Sequence, residues 1–371
     1  MMPNYRNLSL RFLLATFLVL LAVMLAVTLY PFNFFPANGV QWLSNEPGLY
    51  FNGQGIAYTD QVKTVFETKA VSVVLWLNER FGSKNWGPRE IFSFYDGFAS
   101  PPLVVGQWGG RIFLYSRFEK NKGDRWYKLF RTKNRFPRGK SHLVTATFGE
   151  GAKAIYIDGE LNNKSKTEIH DTINAKFCGR LILGNSPMGQ NGWWGEVSGL
   201  AIYNRVLLPE EILKHSREVF QKGVGELAET PGCVALYPFD EGKGIEAKSI
   251  LGKSRSLSIP TSRIPLIFAT LFSLPHKDMR SEFLFGADFL KNILFFVPYG
   301  MLFSTIILRK YTIGFFLAFI VVTFAGSLLS LTIEFLQLFL PTRSSVINDI
   351  YANMIGSGLG VLVAYTLKLH R

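Results

Sequence analysis

Residues His142 to Leu161 read HLVTATFGEGAKAIYIDGEL, and this stretch decides the architecture of the middle of the chain. Two short runs, Leu143 to Phe148 and Ala154 to Ile157, precede the turn pair Asp158-Gly159. Runs of this length punctuated by such turns read as strands joined by hairpins. The same texture extends outward from Gly48 to about Val219, through Val71 to Leu77 (VSVVLWL), Ile112 to Tyr115 and a second turn pair, Asn191-Gly192. That pattern predicts an all-β sandwich. One helix is expected after it, over Pro209 to Phe220, because Pro209 can start a helix and Glu210 and Glu211 suit its first turn.

Beyond these bounds the composition changes. The chain has 371 residues, 48% of them hydrophobic, which fits neither a disordered protein nor a purely soluble one. Two cysteines exclude a disulfide-dense scaffold and a Cys-rich zinc module. Phe12 to Tyr30 carries no charge. At about 1.5 Å per residue it covers roughly 28 Å, one hydrocarbon core. It ends in bulky Leu29, Tyr30 and Pro31 rather than a small-residue cleavage signature, so it reads as an uncleaved anchor. Three later runs also fit spans: Phe289 to Leu308, Ile313 to Leu340 and Val346 to Leu367. Ile264 to Leu274 is too short to cross and reads as interfacial or re-entrant.

With four spans, Arg6 and Arg11, Arg309 and Lys310, and Lys368 and Arg371 all fall on one side, which the positive-inside rule makes the cytoplasm. Residues from about 31 to 287 then face outward, with both termini cytoplasmic. Cys178 and Cys233 would share an oxidising compartment there, where a disulfide between them is chemically allowed.

Of the net charge of +13, the outward segment supplies eight, with 32 basic against 24 acidic residues. Arg111 to Lys140 alone holds 11 basic residues against Glu119 and Asp124, interleaved with aromatics. In the cytoplasm that mixture would suggest nucleic acid; outside it, anionic glycans or lipid head groups are the matching partners, and no nucleic acid is expected. The candidate contacts are Arg125, Trp126, Lys128, Arg131 and Lys133, with Trp193 and Trp194 as a second aromatic pair. A competing reading packs alternate aromatics into the sandwich and leaves the charges solvated. Alternation along a strand sends only one of Trp193 and Trp194 inward, so at most one is a sugar-stacking platform.

Ionisable and amide side chains inside apolar runs cost several kcal/mol unless they are paired or face a polar cavity. Glu334 and Gln337 stand three apart on one predicted helical face, and Asp349 and Asn353 stand four apart on another. Lys291 and Asn292 follow Asp288 at the start of the second span, and Arg343 lies in the connection LPTRSS. In the four-span topology all lie near the outward-facing end. Lys291 and Arg343 can neutralise Glu334 and Asp349, giving either a shared ligand site or a network that only holds helices together, as the small residues Gly356, Gly358 and Gly360 would.

Two resemblances follow from these residues. Ser72 to Leu77, His142 to Leu161, LILGN (Leu181 to Asn185) and WWGEVSGLAIYNRVLLPEEI (Trp193 to Ile212) resemble a laminin-G or concanavalin A-like jelly roll. The resemblance implies two antiparallel sheets, with Tyr156, Asp158 and Gly159 on a hairpin and Trp193 to Tyr203 as a closing strand. Members of that fold often bind glycans and some bind calcium. No specific calcium motif is present, and no cofactor or metal ligand is assigned. Gly232 to Pro260 looks like the strand-and-loop segment that such sandwiches carry at an end.

LYPFNF (Leu29 to Phe34), DFLKNILFFVPYGML (Asp288 to Leu302) and SLTIEFLQLFLPTRSSVINDIYANMIGSGLG (Ser330 to Gly360) resemble the VanZ-like membrane family, named for a glycopeptide-antibiotic resistance protein. Its Lys-Asn, Glu-x-x-Gln, Arg and Asp-x-x-x-Asn elements are matched by Lys291, Asn292, Glu334, Gln337, Arg343, Asp349 and Asn353. One departure is Ser-Val-Ile-Asn before Asp349, in place of a glycine-containing turn. The family implies a role in the bacterial envelope, at the cytoplasmic (inner) membrane.

The expected architecture is therefore a multidomain α plus all-β chain, a four-helix transmembrane VanZ-like bundle with an extracytoplasmic antiparallel sandwich inserted between its first two spans. Residues 1–35 form the first helix, 36–260 the sandwich including the segment 232–260, 261–287 a connector, and 288–371 the remaining helices. The leading functional expectation is an envelope protein whose jelly roll binds a glycan while the polar cluster binds an amphiphilic or lipid-linked component. One alternative is a membrane enzyme acting on a lipid-linked substrate, with Glu334 or Asp349 as general base. Nothing compels catalysis, since no nucleophile elbow, metal-binding His pair or phosphate loop is present. The other alternative is a transporter, which four spans could form only as an oligomer.

Overall fold

The computed structural model describes residues 9–59, 68–80, 87–97, 101–117, 129–149, 151–167, 177–251, 255–263, 287–340 and 347–367. The chain divides into two compact units, residues 36–267 and residues 1–35 with 268–371.

The first unit is a two-sheet antiparallel sandwich. One sheet runs in the order β1 (Val40–Trp42), β2 (Leu49–Asn52), β13 (Trp194–Tyr203), β4 (Val71–Asn78), β9 (His142–Gly149), β10 (Ala152–Ile157), β11 (Glu160–Ser165), with β14 (Cys233–Tyr237) also paired to β13. The other runs β15 (Glu246–Ala247), β16 (Leu257–Ser258), β3 (Ala57–Thr59), β12 (Arg180–Leu183), β5 (Arg89–Tyr95), β6 (Leu103–Trp108), β7 (Arg111–Tyr115), β8 (Phe130–Arg131). The quoted stretch forms β9 to β11. Asp158 and Gly159 take φ of 52° and 86°, and Ile157 pairs with Glu160 across them, a two-residue hairpin with left-handed central residues. Asp158 fixes the turn further: its carboxylate accepts from Leu143 N at 2.9 Å and lies 2.6 Å from His142 Nδ1.

Period-2 alternation separates two cores. Val73, Leu75 and Leu77 of β4 point between the sheets with Phe51, Phe92, Phe94, Leu114 and Ile155. Val74 points the other way, joining Tyr156, Ala201 and Tyr203 beneath α2 (Pro209–Lys222). Helix α2 starts at Pro209 as its sequence requires, and Glu211 reaches back to Leu208 N at 2.8 Å while meeting Arg205. The segment from residue 233 pairs into both sheets: Leu200 opposes Tyr237, and Leu257 opposes Thr59. Cys178 and Cys233 are not joined by a disulfide. Cys178 precedes β12 of one sheet, and Cys233 opens β14 of the other.

The second unit contains α1 (Leu10–Leu29), α3 (Ala287–Lys310), α4 (Phe315–Gln337) and α5 (Ile347–Thr366). Among the described residues three helices are long and apolar enough to cross a membrane: Leu10–Leu29, Phe289–Lys310 and Phe315–Gln337. Helix α5 has the length, at 20 residues, but Asn348, Asp349, Asn353 and three glycines dilute its hydropathy. The long third run does not stay helical to Leu340; α4 stops at Gln337. The interfacial reading of 264–274 falls outside the described residues.

This unit differs from a soluble bundle in what it exposes. Its exposed faces carry Phe12, Leu18, Phe316 and Phe324, while Ser330, Glu334, Asn353 and Ser357 are buried beside an apolar core that includes Phe17, Met24, Phe296 and Val322. Such an arrangement suits a hydrocarbon solvent. Glycines let α3 and α5 approach backbone to backbone: a Cβ at Gly356 would stand 2.2 Å from Ile293 O, and one at Gly360 2.3 Å from Val297 O.

Candidate functional site

Ser330, Glu334 and Gln337 recur at helical spacing on one face of α4, and all three are buried. Gln337 Nε2 donates to Thr28 O of α1 at 3.0 Å, and Asn353 Nδ2 of α5 donates to Ser330 Oγ at 2.9 Å. Ser357 Oγ closes the next turn on Asn353 O at 2.8 Å. Three helices thus meet through one polar stripe. Asn353 Oδ1 is buried within it and has no hydrogen-bond partner among the described residues. An acceptor left in that condition carries a desolvation cost that a donor from a ligand would relieve.

Of the remaining expected members, Asp349 is half-buried in the first turn of α5, beside the buried Asn348 that was not among them, Asn292 is half-buried, and Lys291 is exposed near the start of α3. Asp288 belongs to the first turn of α3, and Arg343 lies outside the described residues. Thr28 and Ser330 were not candidates from sequence. Neither is ionisable, and a serine or threonine in an apolar run ordinarily bonds its own helix, as Thr28 Oγ1 does to Met24 O at 2.7 Å.

The sandwich resolves the tryptophan choice. Trp193 is buried and donates from Nε1 to Gln107 Oε1 at 2.8 Å. Trp194 points outward but is already flanked, with the Arg89 guanidinium 5.4 Å above its ring and Gly53 against it so closely that a Cβ would come within 2.1 Å. Nearby, Glu90 is buried and accepts from Asn191 Nδ2 at 3.2 Å; burial pushes its carboxyl up to about 7. Burial also raises Glu79, which Gln107 and Arg138 partly oppose. Among the described residues no group of three or more His, Cys, Asp or Glu is placed to hold a metal.

Of the basic stretch, residues 118–128 fall outside the described set, and with them Arg125, Trp126 and Lys128. Arg131 and Lys133 instead line a cleft of about 440 Å³ with Arg111, Lys153, Asn163 and Ser165. The cleft lies where the edge strand of one sheet, β8, meets that of the other, β11. Two bonds join these edges: Asn163 Nδ2 to Arg131 O at 2.7 Å, and Lys133 N to Asn162 Oδ1 at 2.8 Å. Lys153 was not singled out from sequence, although AKAIYI puts it in step with Ile155 and Ile157. That signal becomes readable only once the inward face of β10 is known.

With this geometry in place, comparison with known proteins gives two family matches. Residues 51–213 match the model described as Concanavalin A-like lectin/glucanases superfamily, and residues 233–368 match VanZ/LLP1. The second match begins inside the strands β14 to β16 that complete the sandwich, and α1 lies outside it. No curated protein sequence matches the chain. Among solved structures, a putative carbohydrate binding protein from Bacteroides ovatus aligns with TM-score 0.38 and 12% identity over 56% of this chain and 59% of its own. A Trypanosoma rangeli sialidase gives 0.38 and 14% over 49% of this chain and 29% of its own, so both extend well beyond the aligned part. A pentraxin from Limulus polyphemus gives 0.34 and 14% over 49% of this chain and 80% of its own. Likeness at that level says nothing about ligands.

Proposed function

From a chain that carries a concanavalin A-like segment and a VanZ/LLP1 segment, we propose a membrane protein of the bacterial envelope with two binding modules. The sandwich engages an extracytoplasmic glycan, and the polar stripe among the helices receives the head of an amphiphilic, lipid-linked component. The observation that carries the second half is Asn353 Oδ1, an acceptor buried without a hydrogen bond among the described residues, on the side chain that bonds Ser330 one helical turn before Glu334. A stripe serving only to pack helices would be expected to satisfy its own members. The four-span topology, with α5 as the fourth crossing and both termini in the cytoplasm, belongs to this reading and puts both modules on the outer side.

The test uses the full-length protein purified in detergent, with co-purifying lipids identified by mass spectrometry, beside growth of producing cells under a glycopeptide antibiotic. Wild-type protein is expected to retain an amphiphile that Asn353→Ala and Glu334→Gln lose by about tenfold or more, the scale of one buried charge-assisted hydrogen bond. Cells producing the variants at normal levels should lose the wild-type growth phenotype. Identical lipid content and growth in both variants would reduce the stripe to helix packing.

A further inference from the structure

We infer that a cleft beside the end of α2, on the outer face of the sheet that holds β4 and β13, binds a neutral saccharide. The inference rests on the glycan reading of the sandwich and gives it a place and a ligand class. The cleft follows from how that face is covered. Val74 of β4 packs under α2, and Trp76, two residues on, lies on the same face. Helix α2 reaches Trp76 with Phe220, whose ring stands nearly perpendicular to it at 6.0 Å, and then ends at Lys222. Gly223 takes φ of 89°, a left-handed turn, and the chain leaves as a short 3-10 helix, Val224–Glu229. A cleft of about 290 Å³ opens where α2 stops, with Trp76 and Val224 in its wall.

The backbone around it departs from regular structure on two sides. Strand β13 carries a bulge: Val197 opposes Leu77 and Gly199 opposes Trp76, so Ser198 is left over and lines the cleft. Gly199 lets the 3-10 helix sit close, since a Cβ there would fall 2.3 Å from Val224 Cγ1. After β14, Phe239 is buried at φ of 54°, a left-handed conformation that is costly for a bulky side chain. Its carbonyl accepts from Gly48 N at 2.8 Å. Phe239 thereby enters the core, while its neighbours Pro238 and Asp240 line the cleft with Glu46 and Pro47, which precede Gly48.

The lining sets the ligand class. Trp76 is half-buried, and its Nε1 is a buried donor with no hydrogen bond among the described residues, which a hydroxyl seated against the ring would satisfy. Glu46 and Asp240 are exposed and supply acceptors; Lys222, which also meets Glu226 at 3.6 Å, supplies a donor; and Ser198 supplies both. A sugar hydroxyl both donates and accepts, so a mixed set of this kind suits it. An acidic glycan would meet two carboxylates against one ammonium, so this cleft differs in ligand class from the basic stretch. Trp76, Val224 and Ile250 add apolar surface for the C–H faces of a ring. A volume near the lower end for small-ligand sites admits one or two rings rather than a long chain.

The experiment is calorimetric titration of the full-length protein, in a neutral detergent without a sugar head group, with maltotriose, cellotriose and N-acetylchitotriose. Trigalacturonate and the glucosamine trimer serve as acidic and cationic arms. At least one uncharged trimer is expected to bind, with an affinity nearly independent of salt. The Glu46→Ala and Asp240→Ala double variant changes only exposed side chains, so its thermal unfolding should match wild type while affinity falls by about tenfold or more. Trp76→Phe keeps a ring against Phe220 and removes the indole N–H, and should weaken the same sugar by several-fold. If sugars bind these variants as tightly as wild type, the cleft is wrong although the glycan reading stands. If the variants lose affinity for a charged trimer instead, the neutral class is wrong. If no trimer binds, the cleft and the glycan reading both fall.

Discussion

Glu90 shows how far a single buried side chain can govern this protein's response to pH. It stands near the start of β5, and burial lifts its carboxyl from the ordinary 4.5 to about 7. Between those values the folded chain holds a proton that the unfolded chain has released. Stability therefore falls as pH rises through that window, and the penalty is complete above about pH 7. The full shift corresponds to on the order of 3 kcal/mol. Glu90→Gln should thus raise the unfolding temperature of the sandwich by several degrees at about pH 8 and by little at about pH 5. Thermal melts at the two pH values check it, and equal shifts at both would remove Glu90 as the cause. The residue scale is also where sequence reading was weakest. Glu90 and Lys153 look like ordinary surface charges in a strand until the facing sheet is present, because burial is a property of the partner and not of the residue.

At the scale of elements, the three glycines of α5 divide by the helix they face. Gly356 and Gly360, one turn apart, lie against the backbone of α3, where an added Cβ would fall 2.2 Å from Ile293 O and 2.3 Å from Val297 O. Gly358 points elsewhere, and a Cβ there would meet the Phe319 ring of α4 at 3.1 Å and, at an ordinary 3.6 Å, Thr323 Oγ1. Backbone cannot yield without moving a helix, but a ring can turn. Gly356→Ala and Gly360→Ala are therefore expected to destabilise the helical unit by about 1–3 kcal/mol each, whereas Gly358→Ala should be neutral or gain up to about 1 kcal/mol of helix propensity. Unfolding of the variants in detergent distinguishes them, and equal losses at all three positions would contradict the division. Sequence showed that small residues cluster here, but not which pair touches α3. The strands were more legible, because Asp158-Gly159 is hairpin chemistry that β9 to β11 carry out locally. Helix α5 was less so, since the groups that give it a polar interior also lower its hydropathy toward that of a soluble helix.

At the scale of the whole molecule, everything turns on whether α5 crosses. Three crossings would leave the two termini on opposite sides of the membrane, and four would return them to the same side. Hydropathy alone counts α1, α3 and α4. The case for α5 is that its polar groups are not presented to lipid. Asn348, Asn353 and Ser357 are buried, while Ile355, Leu359 and Leu362 are exposed. A helix that turns its amides inward and its aliphatics outward is solvated by hydrocarbon whatever its average composition. The basic residues agree: Arg11 lies in the first turn of α1, Arg309 and Lys310 end α3, and Lys368 and Arg371 follow α5, which is one side of the membrane only if α5 spans. A phosphatase reporter, active only outside the cytoplasm, is accordingly expected to be silent when fused after Arg371 and active when placed at the Asp158-Gly159 turn of the sandwich. Activity at Arg371 would make α5 a surface helix. It would also leave Asn353 and Asp349 outside the hydrocarbon, where water could satisfy the Asn353 acceptor and a lipid-linked ligand would have no need of the stripe.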